Sequence, residues 1–278
     1  MKTLYISDLD GTLLNKEALL ADETLQSLQE IIAAGIHFTC ATARTAATVT
    51  HILSGLDLSA PAILMNGVAI LDWHTRNYVK VEYLQSQFCT HLITKLNELK
   101  LTSFIYSIKE NQLFTYYDNL YNDAMFQFYN ERITRYQKPY TKVASLNEID
   151  PETMIYSLLL DKKEVLQPLT DWLESIKKDY PIEFCFYPEL YIKDTWCLEI
   201  FSNEATKYNA VQFLRNEYHY DTIIGFGDNL NDLPLFQACD EAYAVSNAKD
   251  ELKATATGMI GSNLENSVSN FIKEREHL

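Results

Sequence analysis

The chain has 278 residues and a formal net charge of −15 at pH 7. That balance excludes nucleic acid and anionic membrane surfaces as expected partners, because both are bound through an excess of Lys and Arg. No apolar run approaches the ~18 residues a membrane-spanning helix needs, and Cys40, Cys89, Cys185, Cys197 and Cys239 are scattered without zinc-ligand spacing, so reduced thiols and a cytoplasmic location are expected.

The first predicted strand, Leu4-Tyr5-Ile6, starts almost at the first residue and leaves no room for a signal peptide. It runs into Ser7-Asp8-Leu9-Asp10-Gly11-Thr12, which sets two carboxylates two residues apart before a glycine break. A strand ending there delivers Asp8 and Asp10 to the carboxyl edge of a sheet, where open α/β folds bind ligands. Acids that close repel one another unless a cation sits between them; a solvated turn is the alternative, since Asp and Gly are common turn residues.

Leu25, Leu28 and Ile32 space an amphipathic helix, Ile36 to Ala41 reads as a second strand, and a helix follows from about Thr45. This is the βαβ rhythm of a parallel sheet. The second strand end, Phe38-Thr39-Cys40-Ala41-Thr42-Ala43-Arg44, carries a hydroxyl and a guanidinium. In isolation Thr42 could equally cap a helix. Ala62-Ile63-Leu64-Met65 leads into Asn66-Gly67, and Val68–Leu71 with Tyr78–Val81 forms a hairpin-like pair.

The stretch from 84 to 194 has its own pattern. A helix around Leu92, Ile93, Leu96 and Leu99 precedes strands near Leu101–Ser107 and Gln112–Tyr117, and a helix covers Leu120–Tyr129. A strand at Met154–Leu160, a helix with Val165, Leu169, Trp172 and Ile176 on one face, and a strand near Ile182–Tyr187 close the set. Such a set suggests an α+β insertion with an antiparallel sheet. Its many aromatics, among them Tyr106, Tyr117, Tyr129 and Tyr140, fit a sheet surface or the roof over a polyol or ring substrate.

After about 195 the β/α rhythm returns, with a strand, a helix from Lys207 to about Glu217, a strand to Gly225, and a strand over Ala242–Val245. Ile223-Ile224-Gly225-Phe226-Gly227-Asp228-Asn229-Leu230-Asn231-Asp232 repeats the theme of a β-branched run, a glycine and then acids. A helix starting near Asn229 would present Asp228 and Asp232, four residues apart, to one region. The pair Gly225 and Gly227 lacks the third glycine of a dinucleotide fingerprint. Two or three carboxylates plus a substrate phosphate suffice for Mg2+, which takes oxygen ligands and keeps some waters. Lys207 on its own reads as an ordinary solvated helix lysine.

In this order the motifs resemble the haloacid dehalogenase-like hydrolase superfamily, and within it the Cof-type branch of Mg2+-dependent phosphatases. The first family motif, D-x-D-G-T, stands as Asp8 to Thr12; the second as Thr42-Ala43-Arg44; the third as Lys207; the fourth, G-D-x-x-N-D, as Gly227 to Asp232. Asn66-Gly67 and Val245-Ser246-Asn247-Ala248 also resemble that branch, whereas Ala43 replaces its usual glycine. The resemblance covers residues 1–83 and 195–278 and hardly touches the middle.

The resemblance implies a Rossmann-like α/β core with helices on both faces, formed by 1–83 and 195–278, and an inserted α+β cap at 84–194 that sets specificity. It implies Asp8 as a nucleophile forming an aspartyl-phosphate, Asp10 as general acid and base, and Thr42 and Lys207 as holders of the phosphoryl oxygens. Mg2+ would be bound by Asp8, the Asp10 backbone carbonyl, Asp228 and Asp232. Asn231 and Asp232 would also orient the lysine and the metal's waters. Gly11, Arg44, Asn66 and Asn231 are the expected substrate contacts. The expected substrate is a small phosphorylated metabolite such as a sugar phosphate, handled by a monomer or small homo-oligomer. A phosphomutase or phosphotransferase with the same intermediate is the alternative, and a non-catalytic binding protein on the same fold is a third reading, disfavoured by four acids in mutual repulsion.

Overall fold

A computed structural model describes residues 2–189 and 192–278. The chain divides into two compact units, Met1–Lys80 with Ala205–Leu278, and Val81–Glu204. The first unit opens with β1 (Thr3–Ser7), α1 (Asp22–Ala33), β2 (His37–Cys40) and α2 (Ala46–Ile52). α1 buries Thr24, Leu28 and Ile31, so its inward face is turned from the expected stripe through Leu25 and Ile32. Leu25 instead lies along Gly55. Three short strands follow, β3 (Ala62–Leu64), β4 (Ala69–Leu71) and β5 (Tyr78–Val81), which form their own sheet. A parallel bridge from Ala41 to Ile63 ties it to the end of β2.

The second unit contains α3 (Ser86–Leu99), β6 (Phe104–Lys109), β7 (Gln112–Tyr117), α4 (Asp123–Tyr136), β8 (Thr141–Lys142), β9 (Met154–Asp161), α5 (Lys163–Ile176), β10 (Ile182–Pro188) and β11 (Trp196–Ser202). Its strands make one sheet in the order β10-β11-β9-β6-β7-β8, antiparallel except where β7 meets β8. This is the expected α+β architecture with shifted limits. The strand after residue 195 does not join the core; β11 pairs along its length with β9 and β10, and Leu198 and Ile200 complete the apolar face against α3 and α5. α5 presents Leu166, Leu169 and Leu173 inward and leaves Val165 exposed.

The chain returns to the first unit through α6 (Lys207–Tyr218), β12 (Thr222–Gly227), α7 (Leu233–Ala238), β13 (Glu241–Val245), α8 (Asp250–Lys253), β14 (Gly258–Ile260) and α9 (Ser267–Glu276). The central sheet is wholly parallel, in the order β14-β13-β12-β1-β2. Side chains of β1 alternate between its faces. Leu4 and Ile6 join Val211, Leu214 and Leu235 of α6 and α7, whereas Tyr5 stacks on Phe226 and hydrogen-bonds Glu276 of α9 on the other side. Strand order reverses beside β1, with β2 on one flank and β12, β13 and β14 on the other. Such a switch point opens a crevice at the carboxyl edge of the strands, where ligands bind. Among the described residues no helix is long and apolar enough to cross a membrane.

Candidate active site

Asp8 stands one residue past β1, and its N–H still donates to the Phe226 carbonyl at 2.9 Å, so the parallel ladder fixes where the carboxylate begins. Lys207 opens α6, whose first turn is capped by the Thr206 hydroxyl accepting from the Asn209 N–H. Lys207 is 1% exposed, and its ammonium donates to Asp8 Oδ1 at 2.7 Å and Asp232 Oδ1 at 2.6 Å. It is therefore not the solvated lysine its sequence setting suggests. Two of its three N–H donors are used in this way.

Asp228 and Asp232 converge by a different route from the expected helix. Residues Leu230–Asp232 form one 3-10 turn closed by a reciprocal capping box with Asn229, and α7 begins only after it. Asp232 Oδ2 folds back to accept the N–H groups of Asp228 at 3.0 Å and Asn229 at 3.2 Å. Gly227 permits this approach, since a Cβ there would lie 2.7 Å from that of Asp232. Asn231, one residue earlier in the tight turn, is exposed and reaches toward Asn66 Oδ1 at 3.5 Å. It makes no hydrogen bond to Lys207 among the described residues, contrary to the expectation that it orients the lysine.

Carboxylate oxygens of Asp8, Asp228 and Asp232 lie within 4.8 Å of one another. Three acids thus face one ammonium. Burial and the charge of Asp232 push the Asp8 carboxyl well above the usual carboxylate range, against the pull of Lys207. Burial and Asp232 likewise push Asp228 up to about 6. Burial works against the Lys207 ammonium, but the charges of Asp8 and Asp232 outweigh it and hold the group protonated. The cluster remains short of positive charge, and its donors are hard oxygens, a set that fits a divalent cation such as Mg2+. Asp8 Oδ2 and Asp228 Oδ2 have no hydrogen-bond partner among the described residues, whereas both oxygens of Asp232 are already engaged. Direct ligation therefore fits Asp8 and Asp228 better than Asp232.

Gly11 has φ +79°, and a Cβ on it would fall 2.3 Å from Asp228 Oδ2. The glycine lets the backbone pass this close to the acids. Arg44, expected as a substrate contact, holds the Asp10 carboxylate through Nε and Nη2. Thr42 is buried; its hydroxyl accepts from the Arg44 N–H at 3.2 Å, and its carbonyl accepts from the Asn66 N–H at 2.9 Å. Thr42, Arg44 and Asn66 therefore belong to one hydrogen-bonded loop pair. The sequence assigns no role to Asn247, although Val245-Ser246-Asn247-Ala248 resembles the Cof-type branch. Its Nδ2 donates to the Gly11 carbonyl at 2.8 Å, while its Oδ1 accepts from Asn263, whose own Nδ2 donates to the Leu14 carbonyl. These two asparagines clamp the loop that carries Asp10, and only its long-range partners distinguish such an asparagine from a turn residue.

The haloacid dehalogenase-like hydrolase family profile matches residues 5–272. The 5-amino-6-(5-phospho-D-ribitylamino)uracil phosphatase YwtE of Bacillus subtilis is 30% identical over 297 residues, covering 99% of this chain and 98% of that protein. The pyridoxal phosphate phosphatase YbhA of Escherichia coli is 25% identical over 267 residues, covering 95% of each. Among solved structures, TM0651 from Thermotoga maritima shares the fold with a TM-score of 0.80 at 21% identity, over 99% of this chain and 97% of that one.

Proposed function

The chain belongs to the haloacid dehalogenase-like hydrolase family and is a phosphoric monoester hydrolase, and from that premise we propose that it hydrolyses a small phosphorylated metabolite, such as a sugar phosphate, with Mg2+ and through an aspartyl-phosphate on Asp8. The observation that carries this reading is the buried cluster in which Asp8 keeps one unpartnered oxygen while Lys207 grips the other. Names of relatives that act on ribityl and pyridoxal phosphates support the size class of the substrate.

The Asp8 carboxylate attacks phosphorus as the bond to the alcohol oxygen breaks, and Asp10 gives its proton to that oxygen. Water then attacks the aspartyl-phosphate and returns a proton to Asp10, releasing inorganic phosphate and restoring Asp8. The third N–H of Lys207 and the Thr42 hydroxyl are suited to phosphoryl oxygens, whose charge spreads in the transition state. Asp8 and Asp228 would hold Mg2+ directly, with Asp232 positioning the lysine, and the ion would neutralise charge between carboxylate and phosphate. The second unit supplies none of these groups; we assign to it the choice among phosphate esters. The free thiols of all five cysteines fit a reducing compartment.

The test is hydrolysis of p-nitrophenyl phosphate and a panel of phosphorylated metabolites with Mg2+ or excess chelator. Activity should require Mg2+ and vanish in Asp8→Asn. Near-normal turnover in either the variant or the chelator would overturn the aspartyl-phosphate reading.

A further inference from the structure

The short segment between β13 and α8 ties together the two acid-bearing loops of the first unit. Asn247 Nδ2 donates to the Gly11 carbonyl at 2.8 Å, and two residues later the Lys249 N–H donates to the Asp228 carbonyl at 2.8 Å. One bond therefore holds the residue after Asp10, and the other holds the backbone of Asp228 itself. Beyond the strand ladder, one direct hydrogen bond joins the two loops among the described residues, from the Thr12 hydroxyl to Asp228 Oδ1 at 3.3 Å. Asn247 is itself held in place. Its Oδ1 accepts the Asn263 N–H at 3.1 Å, and Asn263 opens a 3-10 turn closed by a capping box between Ser262 and Glu265.

This position needs a group that donates to one carbonyl and accepts from one N–H at the same time, which a side-chain amide does. An isosteric Asp would still accept from Asn263 but would set a second acceptor against the Gly11 carbonyl. Stability alone does not account for the arrangement. Asn247 is exposed, and a hydrogen bond that water can replace contributes little net stability. The loop already has its own backbone turn, with the N–H groups of Thr12, Leu13 and Leu14 all donating to the Leu9 carbonyl at 3.3, 2.9 and 2.9 Å. That turn sets the shape of the loop, and the amide of Asn247 sets where its Gly11 end lies relative to Asp228. Asp10 is thus held from both flanks of β1. Arg44, beyond β2, takes its carboxylate, and Asn247, beyond β13, takes the next residue's carbonyl.

We propose that Asn247 is a positioning residue for proton transfer by Asp10, fixing the backbone beside Asp10 against Asp228 so that the carboxyl meets the leaving oxygen. This rests on the phosphatase reading above. Asn247 acts through the Gly11 carbonyl and takes no part in the chemistry itself. A general acid contributes ~10²–10⁴-fold, and a shift of about 1 Å can cost ~10²-fold. Loosening one of two holds on Asp10 should therefore cost about 10-fold where the leaving oxygen needs a proton. A phenolate that leaves without one should lose clearly less.

The experiment measures kcat/KM for p-nitrophenyl phosphate, phenyl phosphate and glucose 6-phosphate, with thermal melts of every variant. Asn247→Leu removes both hydrogen bonds at similar size, and Asn247→Asp removes the donor alone. Both should lose about 10-fold on glucose 6-phosphate, with losses that shrink as the leaving group improves and a Tm close to wild type. Because Arg44 and Asn247 hold the same acid, the loss in Arg44→Ala/Asn247→Leu should fall short of the product of the single losses. Equal losses across the three esters, with or without a fall in Tm, would give Asn247 a merely structural role and overturn this inference alone. So would wild-type kinetics in a folded Asn247→Leu variant, or single losses that multiply in the double variant. Absence of Mg2+-dependent hydrolysis by the wild type on every ester overturns the phosphatase reading and this inference with it.

Discussion

Arg44 grips the carboxylate of Asp10 with two hydrogen bonds, Nε to Oδ2 at 2.7 Å and Nη2 to Oδ1 at 2.6 Å. The Asp10 side chain is half exposed, so the pair is screened and contributes ~1 kcal/mol or less to stability. Its geometry matters more than its strength. A bidentate guanidinium occupies both carboxylate oxygens and fixes the direction in which the Asp10 side chain points. Donation to a leaving alkoxide requires Asp10 to be protonated and at least partly released.

Removing the grip should therefore disturb proton transfer and leave folding intact. Arg44→Ala should lower kcat about 10-fold, a fraction of the ~10²–10⁴-fold an acid–base group contributes, with Tm nearly unchanged. Arg44→Lys should rescue little, because an ammonium cannot reproduce the fork. The check is a leaving-group series. The loss should be larger for sugar alkoxides than for p-nitrophenolate, and an equal loss across the series would detach Arg44 from acid–base chemistry.

Lys207→Ala removes the cation between Asp8 and Asp232 in a site where the lysine and Asp232 are essentially fully buried. Breaking a buried pair by deleting one partner typically costs about 3–5 kcal/mol. We expect Tm to fall by several degrees in chelator and turnover to be lost. Thermal melts of the variant against wild type, with and without Mg2+, provide the measurement. A wild-type melt and wild-type kinetics would return Lys207 to the class of solvated helix lysines.

Gly11→Ala should damage the site without touching a charged group. The substituted residue would keep a left-handed backbone, and its methyl would collide with Asp228 Oδ2. Either the loop that carries Asp10 shifts or Asp228 moves, and misplacement of about 1 Å can cost ~10²-fold in rate. Steady-state kinetics should show the loss in kcat, and the Mg2+ concentration for half-maximal activity should rise.

Much of this site was legible in the sequence because its parts are strand ends. A β-prone run followed by glycine and acids reports both the element and the edge it reaches, so the sequence alone places Asp8 and Asp228 at strand ends. Lys207 was not legible as a buried group, because the partners that bury it lie 199 and 25 residues away. The same distance hid the pairing of Arg44 with Asp10 and the asparagine clamp from Asn247. The apolar alternation of Trp196–Ser202 suits the core sheet as well as any other; only cross-strand pairing assigns the strand to the second unit. The buried face of α1 is offset by one residue from the expected stripe, since Leu25 and Ile32 fit a helical period as well as Thr24, Leu28 and Ile31 do.

Three acids opposed by one ammonium should be relieved by a divalent cation. Mg2+ at about 100 times its Kd should stabilise the fold by ~2.7 kcal/mol if it binds only the native state, which corresponds to a rise of several degrees in Tm. Asp228→Asn should remove most of that rise. The apo variant should also melt above the apo wild type, because one member of the repulsive set is gone. A rise of equal size in wild type and variant would place the ion elsewhere.

The acid at Glu199 gives a pH signature that catalysis does not enter. Burial raises its carboxyl above the ordinary range, while hydrogen bonds from Tyr156 and Tyr187 only partly offset that. The folded state then holds a proton that the unfolded chain releases, so this group's contribution to stability falls as pH rises from the ordinary Glu value through the raised one. Gln at this position keeps the shape and cannot ionise. Glu199→Gln should accordingly melt above wild type at pH 8, and the difference should shrink toward pH 4, where both chains carry a neutral side chain. Thermal melts at half-unit pH steps in the presence of chelator measure this without any substrate. A difference that is constant with pH would mean that Glu199 is not strained by its burial, and a variant less stable than wild type at pH 8 would mean that the two tyrosines hold the charged form as a structural hydrogen-bond acceptor.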